Sequence, residues 1–248
     1  MTHRFLVAPF VLCSREVTLP DGVARQLSRV LRARAGERIV LFTGDGSECE
    51  AELTLVTPAR VTARLGEARA PDTELSGELA VAIAVLKGEK LDWVVQKLTE
   101  LGVSRVQFLH STRTVALTRE ERWDRRLERL QRITREATEQ CGGVRLPQVW
   151  GPLELRRFLV RETQDPNQNT ICCLDPTGPH RFRDILVPTC PPRLTLLCGP
   201  EGGFTPEELS QVDDVGGHRV ALGRRILRAE TAAIAAAAVA VALWGDDW

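Results

Sequence analysis

Short apolar runs alternate with segments of helical periodicity along the chain from residue 78 onward. Continuous apolar runs are typical of strands that are buried on both faces of a parallel sheet. The pattern therefore predicts a mostly parallel α/β sheet with helices on both faces. The predicted strands are Leu79–Leu86, Arg105–His110, Thr170–Leu174, Leu194–Cys198 and Arg219–Leu222.

Two segments between these strands carry apolar residues at helical spacing. The first is Lys90–Leu101, which ends at Gly102. The second is Arg119–Cys141, which ends at Gly142. Glycine after the last periodic residue is a common helix terminator. The polar stretch Glu162–Asn169 fits neither period and is predicted to be a loop or an insert.

The first 72 residues favour a small β-rich domain, with Ala70–Asp72 as a linker and residues 73–248 as the second domain. The turn residues Thr43–Gly46 predict a hairpin between two of its strands. The predicted strands are Arg4–Val7, Arg38–Phe42, Glu48–Val56 and Arg60–Leu65.

One helix is predicted within this domain, over Gly22–Arg32. Its inward residues are predicted to be Val23, Leu27, Val30 and Leu31. Its other side carries a row of arginines, which is either a solvated helix face or an edge that contacts phosphates. These arginines are Arg25, Arg29, Arg32 and, beyond the helix, Arg34.

The most informative stretch is near the end of the chain, where LLCGPEGGF is followed by VALGRRILRAETAAIAAAAVA. Each part has an apolar strand, a glycine-marked turn and then a helix. Thr205, Pro206 and Glu208 have the spacing of a capping box with proline at the first helical position. Two adjacent loops of this kind can hold a nucleoside-like cofactor; the alternative is a glycine turn beside a core helix.

The same spacing excludes two nucleotide-binding motifs. A phosphate-binding P-loop needs lysine and a hydroxyl residue after its last glycine, but Gly203 is followed by Phe204 and Thr205. The dinucleotide fingerprint GxGxxG is absent. A nucleotide-dependent enzyme is therefore disfavoured.

Composition narrows the class of protein further. The hydrophobic content of 43% and the charged content of 27% are typical of a globular protein. The net charge is zero, and the basic residues are almost all arginine, which suits planar contacts to phosphates and bases but also fits a GC-rich genome. Lysine occurs only at Lys87, Lys90 and Lys97.

Targeting and metal signals are not found in the sequence. No signal peptide is recognised, and the apolar run Thr231–Leu243 is too short for a bilayer, so we expect a cytoplasmic protein without a membrane partner. The seven cysteines form no CxxC pair and no Cys/His cluster at zinc spacing. We therefore expect reduced thiols and no metal.

GPEGG followed by LG-x-x-ILR-x-ETA resembles the RsmE family of SPOUT RNA methyltransferases. The resemblance covers nearly the whole chain, since RFLV and VLRARAGERIVLFTGDGSECEAEL are similar to the family's PUA-like RNA-binding domain. It implies a small PUA-like β-barrel domain and a catalytic domain with a C-terminal trefoil knot. It also implies methylation of N3 of a uridine in the 16S ribosomal RNA of the small ribosomal subunit, with S-adenosyl-L-methionine as cofactor and a homodimer as the active form.

The resemblance assigns cofactor-binding residues to three segments. Leu174 ends a strand and is a candidate third wall of the site. Ile226 and Leu227 have an alternative interpretation as plain core residues. The residues implied for the two cofactor loops are Gly199, Pro200, Glu201, Gly202, Leu222, Gly223, Ile226, Leu227 and Arg228.

The catalytic candidates follow from what N3 methylation requires. A cation must stabilise the developing imide anion, and Arg228 or Arg113 could supply it. A base must accept the N3 proton, for which Glu136 and Glu230 are both candidates. Glu230 could instead only stabilise the start of its helix. Arg4, in the opening RFLV, joins the predicted RNA-binding residues.

Two other functions compete with this interpretation. One is a SPOUT methyltransferase with another RNA target, and the other is a non-catalytic RNA-binding factor of ribosome assembly. The chain departs from the family pattern at Cys141–Arg145, where the arginine is displaced by two residues, which leaves the role of Arg145 open.

Overall fold

The computed structural model describes residues 2–87, 90–114, 120–164, 169–186 and 191–244, with the side chains of 120–122 and 244 excepted. The chain forms two compact units. The first contains Met1–Glu74 and Arg135–Leu146, and the second contains Leu75–Thr134 and Pro147–Trp248. The division into domains after residue 72 stays a prediction.

The first unit is built on a five-stranded sheet. Its strands are β1 (Arg4–Leu6), β2 (Glu16–Thr18), β3 (Arg38–Phe42), β4 (Glu48–Val56) and β5 (Val61–Arg69). Their order is β1-β3-β4-β5-β2, with β1 parallel to β3 and the other neighbours antiparallel. The predicted bounds of β3 and β4 are confirmed. The short edge strand β2 was not predicted, because three residues are too few to show an alternating pattern.

The helix of this unit changes its hydrogen-bond period along its length. Helix α1 (Asp21–Arg25) continues directly into a π-helical segment, Gln26–Leu31. Val23 and Leu27 are buried, but Val30 is 72% exposed, so its predicted inward position is wrong. In a π-helix each residue turns less about the axis than in an α-helix, and positions after Leu27 therefore leave the predicted face.

The second unit is built on a seven-stranded sheet, and all its neighbouring pairs are parallel. The strand order is β10-β12-β9-β11-β6-β7-β8, which confirms the predicted parallel α/β architecture. The strands are β6 (Glu78–Ala84), β7 (Arg105–His110), β8 (Gln148–Glu154), β9 (Asn169–Leu174), β10 (His180–Arg181), β11 (Arg193–Cys198) and β12 (His218–Ala221). Edge strand β8 was not predicted, because its residues are mostly half-buried or exposed and form no apolar run.

Helices cover both faces of this sheet. On β6, Leu79, Val81 and Ile83 join the core that contains α2 (Lys90–Glu100) and α7 (Ala229–Trp244). Ala82 joins the core that contains α4 (Leu155–Glu162) and α6 (Pro206–Asp214). The predicted helix over Lys90–Leu101 is confirmed as α2; Arg119 lies outside the described residues. The helices are α2 (Lys90–Glu100), α3 (Glu120–Cys141), α4 (Leu155–Glu162), α5 (Phe182–Leu186), α6 (Pro206–Asp214) and α7 (Ala229–Trp244).

The expectation of a polar loop over Glu162–Asn169 is wrong at both ends, since Asn169 is the first residue of β9. Glu162 is the last residue of α4, and its side chain is buried. It accepts hydrogen bonds from Arg105, Asn169 and Thr195. Buried charges require such partners, which tie the end of α4 to strands β7, β9 and β11. Residues 165–168 of the predicted loop lie outside the described ranges.

Candidate active site

The carboxyl ends of three neighbouring strands in the second unit lie side by side. Leu174 at the end of β9 is in register with Cys198 of β11 on one side and Val220 of β12 on the other. Ligands of open parallel sheets bind outside these carboxyl ends, because the loops that leave the strands converge there.

A cavity of about 510 Å³ lies between these loops. Every residue that the resemblance assigned to the cofactor lines it: Leu174, Gly199, Pro200, Glu201, Gly202, Leu222, Gly223, Ile226, Leu227 and Arg228. Thr177, Arg225 and Ala232 also line the cavity and had not been singled out. The volume is in the range that holds a small organic ligand.

The glycine loop that follows β11 is closed by its own aromatic residue. A Cβ atom at Gly199 would lie 3.1 Å from the ring of Phe204 and 3.2 Å from its backbone nitrogen, so a larger residue there would require Phe204 to shift. Gly203 has a φ of +69°, which favours glycine. Thr205 then caps α6 and forms the predicted capping box with Glu208, which is confirmed.

A second wall is fixed by Asp175, which follows β9. This buried carboxylate accepts hydrogen bonds from Arg219 and from the N–H and hydroxyl of Thr177. Burial alone would raise the pKa of Asp175, but these bonds together hold it below the usual value. Asp175 is therefore an anion that shapes the loop, in addition to lining the cavity.

Lys90, the first residue of α2, pairs with an acidic residue of the first cofactor loop and with one in the first turn of α7. Its Nζ lies 3.2 Å from Glu201 and 3.3 Å from Glu230. The hydrogen bond to Glu201 raises the pKa of Lys90. Burial would raise the pKa of Glu201, but its own N–H and the ammonium of Lys90 lower it. The other carboxylate oxygen of Glu230 is buried and accepts no hydrogen bond from the residues that the structure describes.

Arg113 lies against the glycine loop. Its Nη1 donates a hydrogen bond of 2.7 Å to the carbonyl of Gly202, and its side chain is exposed. The structure therefore brings two of the predicted catalytic residues, Arg113 and Arg228, to the loops around the cavity.

The second cofactor loop presents its apolar residues outward. Ile226 is 85% exposed, so its alternative interpretation as a core residue is wrong. Leu227 is 36% exposed and lines the same cavity. Exposed aliphatic side chains at the rim of a cavity can cover the apolar face of a bound ligand.

The remaining candidates lie in the first unit. Glu136 is exposed on the part of α3 that belongs to this unit. Arg4 pairs with the buried Glu48 at 2.8 Å and lies over the ring of Phe42. The arginines that remain exposed along the helix and just beyond it are Arg25, Arg29, Arg32 and Arg34.

Among the described residues, no group of three or more His, Cys, Asp or Glu side chains is arranged to hold a metal ion. In the same part of the chain, no helix combines the length and the apolar character that a bilayer crossing requires.

Comparison with known proteins identifies the family. A family model described as "RNA methyltransferase domain" matches residues 73–241, and one described as "RNA methyltransferase PUA domain" matches residues 27–66. Ribosomal RNA small subunit methyltransferase E of Synechocystis is 33% identical over 94% of this chain and 75% of its own length. The chain belongs to the methyltransferase E family. The member from Bacillus subtilis is 30% identical over 82% of this chain and 80% of its own length.

Solved structures of methyltransferase E and related proteins have the same fold. The enzyme from Neisseria gonorrhoeae, bound to S-adenosyl methionine, superposes with a TM-score of 0.89 at 33% identity, over all of both chains. A putative methyltransferase from Legionella pneumophila, in complex with the same cofactor, has a TM-score of 0.83 at 30% identity, over 98% of each chain.

Proposed function

We propose that this chain transfers a methyl group from S-adenosyl-L-methionine to N3 of a uridine in the 16S RNA of the small ribosomal subunit. The observation that carries the proposal is the cavity at the carboxyl ends of β9, β11 and β12, lined by both sequence motifs of the family. Family membership and the cofactor-bound relatives support the same chemistry.

The residues around the cavity fit the cofactor. Leu174, Leu222 and Ile226 offer apolar surface for an adenine ring, and the backbone of Gly199–Gly203 offers hydrogen-bonding groups. Asp175 and Glu201 add negative charge beside a ligand that carries a sulfonium and an ammonium. When bound, S-adenosylmethionine supplies a methyl group that is already activated on sulfur.

The chain must then prepare the uridine. N3 carries a proton and lies on the Watson–Crick edge, so the base must be unpaired when it reaches the site. Arg228 lines the cavity, and its guanidinium can stabilise the imide anion that develops as the proton leaves. Arg113 is the second candidate for this role.

Glu230 is a better candidate than Glu136 for the base that accepts the N3 proton, because it lies next to the cavity. Its neighbour Ala229 lines the cavity, and one of its oxygens has no hydrogen-bond donor among the described residues. Replacing each glutamate by glutamine and measuring the pH dependence of kcat distinguishes the two. The variant that lacks the base loses the acidic limb of the profile.

RNA binding is assigned to the first unit. Arg25, Arg29, Arg32 and Arg34 are exposed and follow one another along a single segment, as expected for a phosphate-contacting edge. Arg4 was predicted to belong to this set; its pairing with Glu48 also gives it a structural role in the sheet.

A homodimer is proposed from the apolar surface of α7. This helix carries a single acidic residue, Glu230, and its exposed positions include Val239 and Leu243. An apolar helix face is normally covered by a partner, and a second copy of the chain would cover it here. Sedimentation equilibrium of the wild type and of Val239→Glu tests this assignment. We further propose that the protein acts in the cytoplasm and that a C-terminal trefoil knot holds its two cofactor loops.

The deciding experiment uses small ribosomal subunits from cells that lack the modification. They are incubated with the protein and methyl-labelled S-adenosylmethionine and digested to nucleosides, and we expect labelled 3-methyluridine. Label in another nucleoside would indicate a methyltransferase with a different RNA target. No transfer to subunits or to naked 16S RNA, despite cofactor binding, would contradict the proposal and favour an assembly factor.

A further inference from the structure

One buried carboxylate joins two loops beside the cavity. Glu208, in the first turn of α6, accepts hydrogen bonds from the N–H of Thr205 at 2.8 Å and the N–H of Thr112 at 2.8 Å. It also accepts from the hydroxyls of Thr112 at 3.2 Å and Ser111 at 3.3 Å. A capping box requires only the bond to Thr205. The additional bonds extend Glu208 beyond the helix to the segment that follows β7.

The two tethered segments meet again at the rim of the cavity. Arg113 directly follows Thr112, and its guanidinium donates to the carbonyl of Gly202 at 2.7 Å. A Cβ atom at Gly202 would lie only 3.4 Å from Cδ of Arg113. The glycine loop and the cap that follows it are therefore bonded to the β7 segment at two points, through Glu208 near Thr205 and through Arg113 at Gly202.

Glu208 constrains the position of Arg113, and not the reverse. Glu208 is buried and satisfied by donors from three residues, whereas Arg113 is exposed. A buried carboxylate in a web of charge-assisted hydrogen bonds has little freedom to move. Because the N–H of Thr112 is fixed by that web, the backbone of Arg113 is fixed too, and the guanidinium is presented at the loop.

We propose that Glu208 is a positioning residue for methyl transfer, which acts through Arg113 to hold the guanidinium and the cofactor loop in one arrangement. This rests on the proposed function, in which Arg113 is the second candidate for stabilising the imide anion. Glu208 is not among the residues that line the cavity, and its effect on the reaction passes through the β7 segment.

The test is a double-mutant cycle between Glu208→Gln and Arg113→Ala, measured as kcat for methylation of the small subunit. Glutamine keeps the shape of the glutamate side chain, but its amide NH₂ group faces backbone N–H donors and cannot accept from them. Part of the hydrogen-bond network around position 208 is therefore lost. We expect each single variant to lower kcat by roughly ten- to a hundredfold. The double variant is expected to be no slower than Arg113→Ala alone, since Glu208 acts through Arg113.

The matched control is Glu207→Gln. Glu207 lies in the same helical turn and within the field of Arg113, but it is exposed and makes no bond to Ser111 or Thr112. We expect its kcat to stay within about twofold of the wild type, as for a surface substitution. If the effects of Glu208→Gln and Arg113→Ala multiply instead, Glu208 acts only by stabilising α6, and the proposal is overturned.

A milder variant keeps the proposal testable if Glu208→Gln fails to fold. The double substitution Ser111→Ala/Thr112→Val removes two hydroxyl donors and leaves the capping box intact. We expect a several-fold loss of kcat that disappears in the Arg113→Ala background, with cofactor affinity and thermal unfolding measured alongside.

If the wild type binds the cofactor but forms no 3-methyluridine, the proposed function fails. The same cycle is then measured on cofactor affinity, where additive effects would overturn the positioning role.

Discussion

Arg219 binds Asp175 through two nitrogens at once: its Nε lies 2.9 Å and its Nη2 2.8 Å from the same carboxylate oxygen. The other oxygen of Asp175 is taken by the N–H and hydroxyl of Thr177, each at 2.9 Å. The loop that follows β9 is thus tied to the neighbouring strand β12.

Replacing Arg219 by glutamine is expected to weaken cofactor binding by roughly tenfold, because Asp175 loses its charged partner and the loop loses its anchor. Isothermal titration with S-adenosylmethionine measures the change. Arg193→Gln is the control, since Arg193 pairs with Glu78 at the opposite end of β11. Equal affinities for the two variants would contradict the assignment.

Acid should remove the contribution of Asp175 to stability. Its pKa is lowered in the folded protein from an ordinary 3.8, so its contribution is complete well above pH 3.8 and is lost as the pH falls through the folded pKa. We expect wild type and Asp175→Asn to differ in urea stability at pH 7, and the difference to shrink as the pH falls below 3.8. A difference that stays constant below pH 3.8 would argue against this ion pair.

Lys90→Met should loosen the first cofactor loop and the start of α7, because Glu201 and Glu230 lose their shared cation. The expected result is a several-fold weaker affinity for S-adenosylmethionine without a measurable change in the urea midpoint, since the pair is partly exposed. Lys97→Met is the matched control on the same helix, where Lys97 pairs with Glu100 at 2.8 Å. A loss of affinity in both variants would point to a general effect of charge.

Glu162→Gln should destabilise the second unit by about 3 kcal/mol, because it leaves the buried Arg105 without its anion. Urea unfolding at neutral pH measures this loss. Glu154→Gln removes an exposed partner of Arg157 on the same helix and should change stability little. If the two variants unfold together, the buried network is not a stabilising element.

Gly178→Ala should destabilise the protein by about 1–3 kcal/mol. A Cβ atom at this position would lie 2.7 Å from the backbone carbonyl of Arg219, which cannot move without disturbing β12. At Gly22, on α1, a Cβ atom meets nothing within 4 Å, so Gly22→Ala should stabilise by about 0.5 kcal/mol. Thermal unfolding of both variants tests the contrast, which would fail if Gly178→Ala were neutral.

Joint replacement of Arg25, Arg29 and Arg32 by glutamine should weaken RNA binding and flatten its dependence on salt by roughly two to three units of log–log slope. At saturating RNA, kcat should be unchanged. The double variant Arg156→Gln/Arg157→Gln removes exposed arginines from α4 and is the control. An unchanged salt slope in the triple variant would show that this helix does not contact phosphates.

The sequence allowed prediction of the cavity walls because each wall starts where a buried strand ends. Continuous apolar runs located β9, β11 and β12 to within a residue or two, and the glycine motifs then marked the loops. The family resemblance supplied the functional roles of these residues, because hydrophobic periodicity contains no information about function.

Other features depend on residues that are distant in sequence. The bonds from Lys90 to Glu201 and from Thr112 to Glu208 join residues about a hundred positions apart, and no local pattern marks either pair. Val30 was misplaced for a different reason, since the π-helical segment alters the period on which the prediction depended. The buried Glu162 was missed because a polar residue at a helix end resembles the start of a loop.

Each of the three cavity walls begins at the end of a strand, namely β9, β11 or β12. Backbone hydrogen bonds fix the register of these strands, with Leu174 between Cys198 and Val220. Those bonds do not depend on side-chain identity, whereas Arg219, Lys90 and Arg113 bond to the first two walls through their side chains. Residues 175–177, 199–203 and 222–228 are therefore three segments on one scaffold, and an exchange with other family members must keep those three cations. Grafting the segments singly on that condition would show which wall sets the choice of nucleotide.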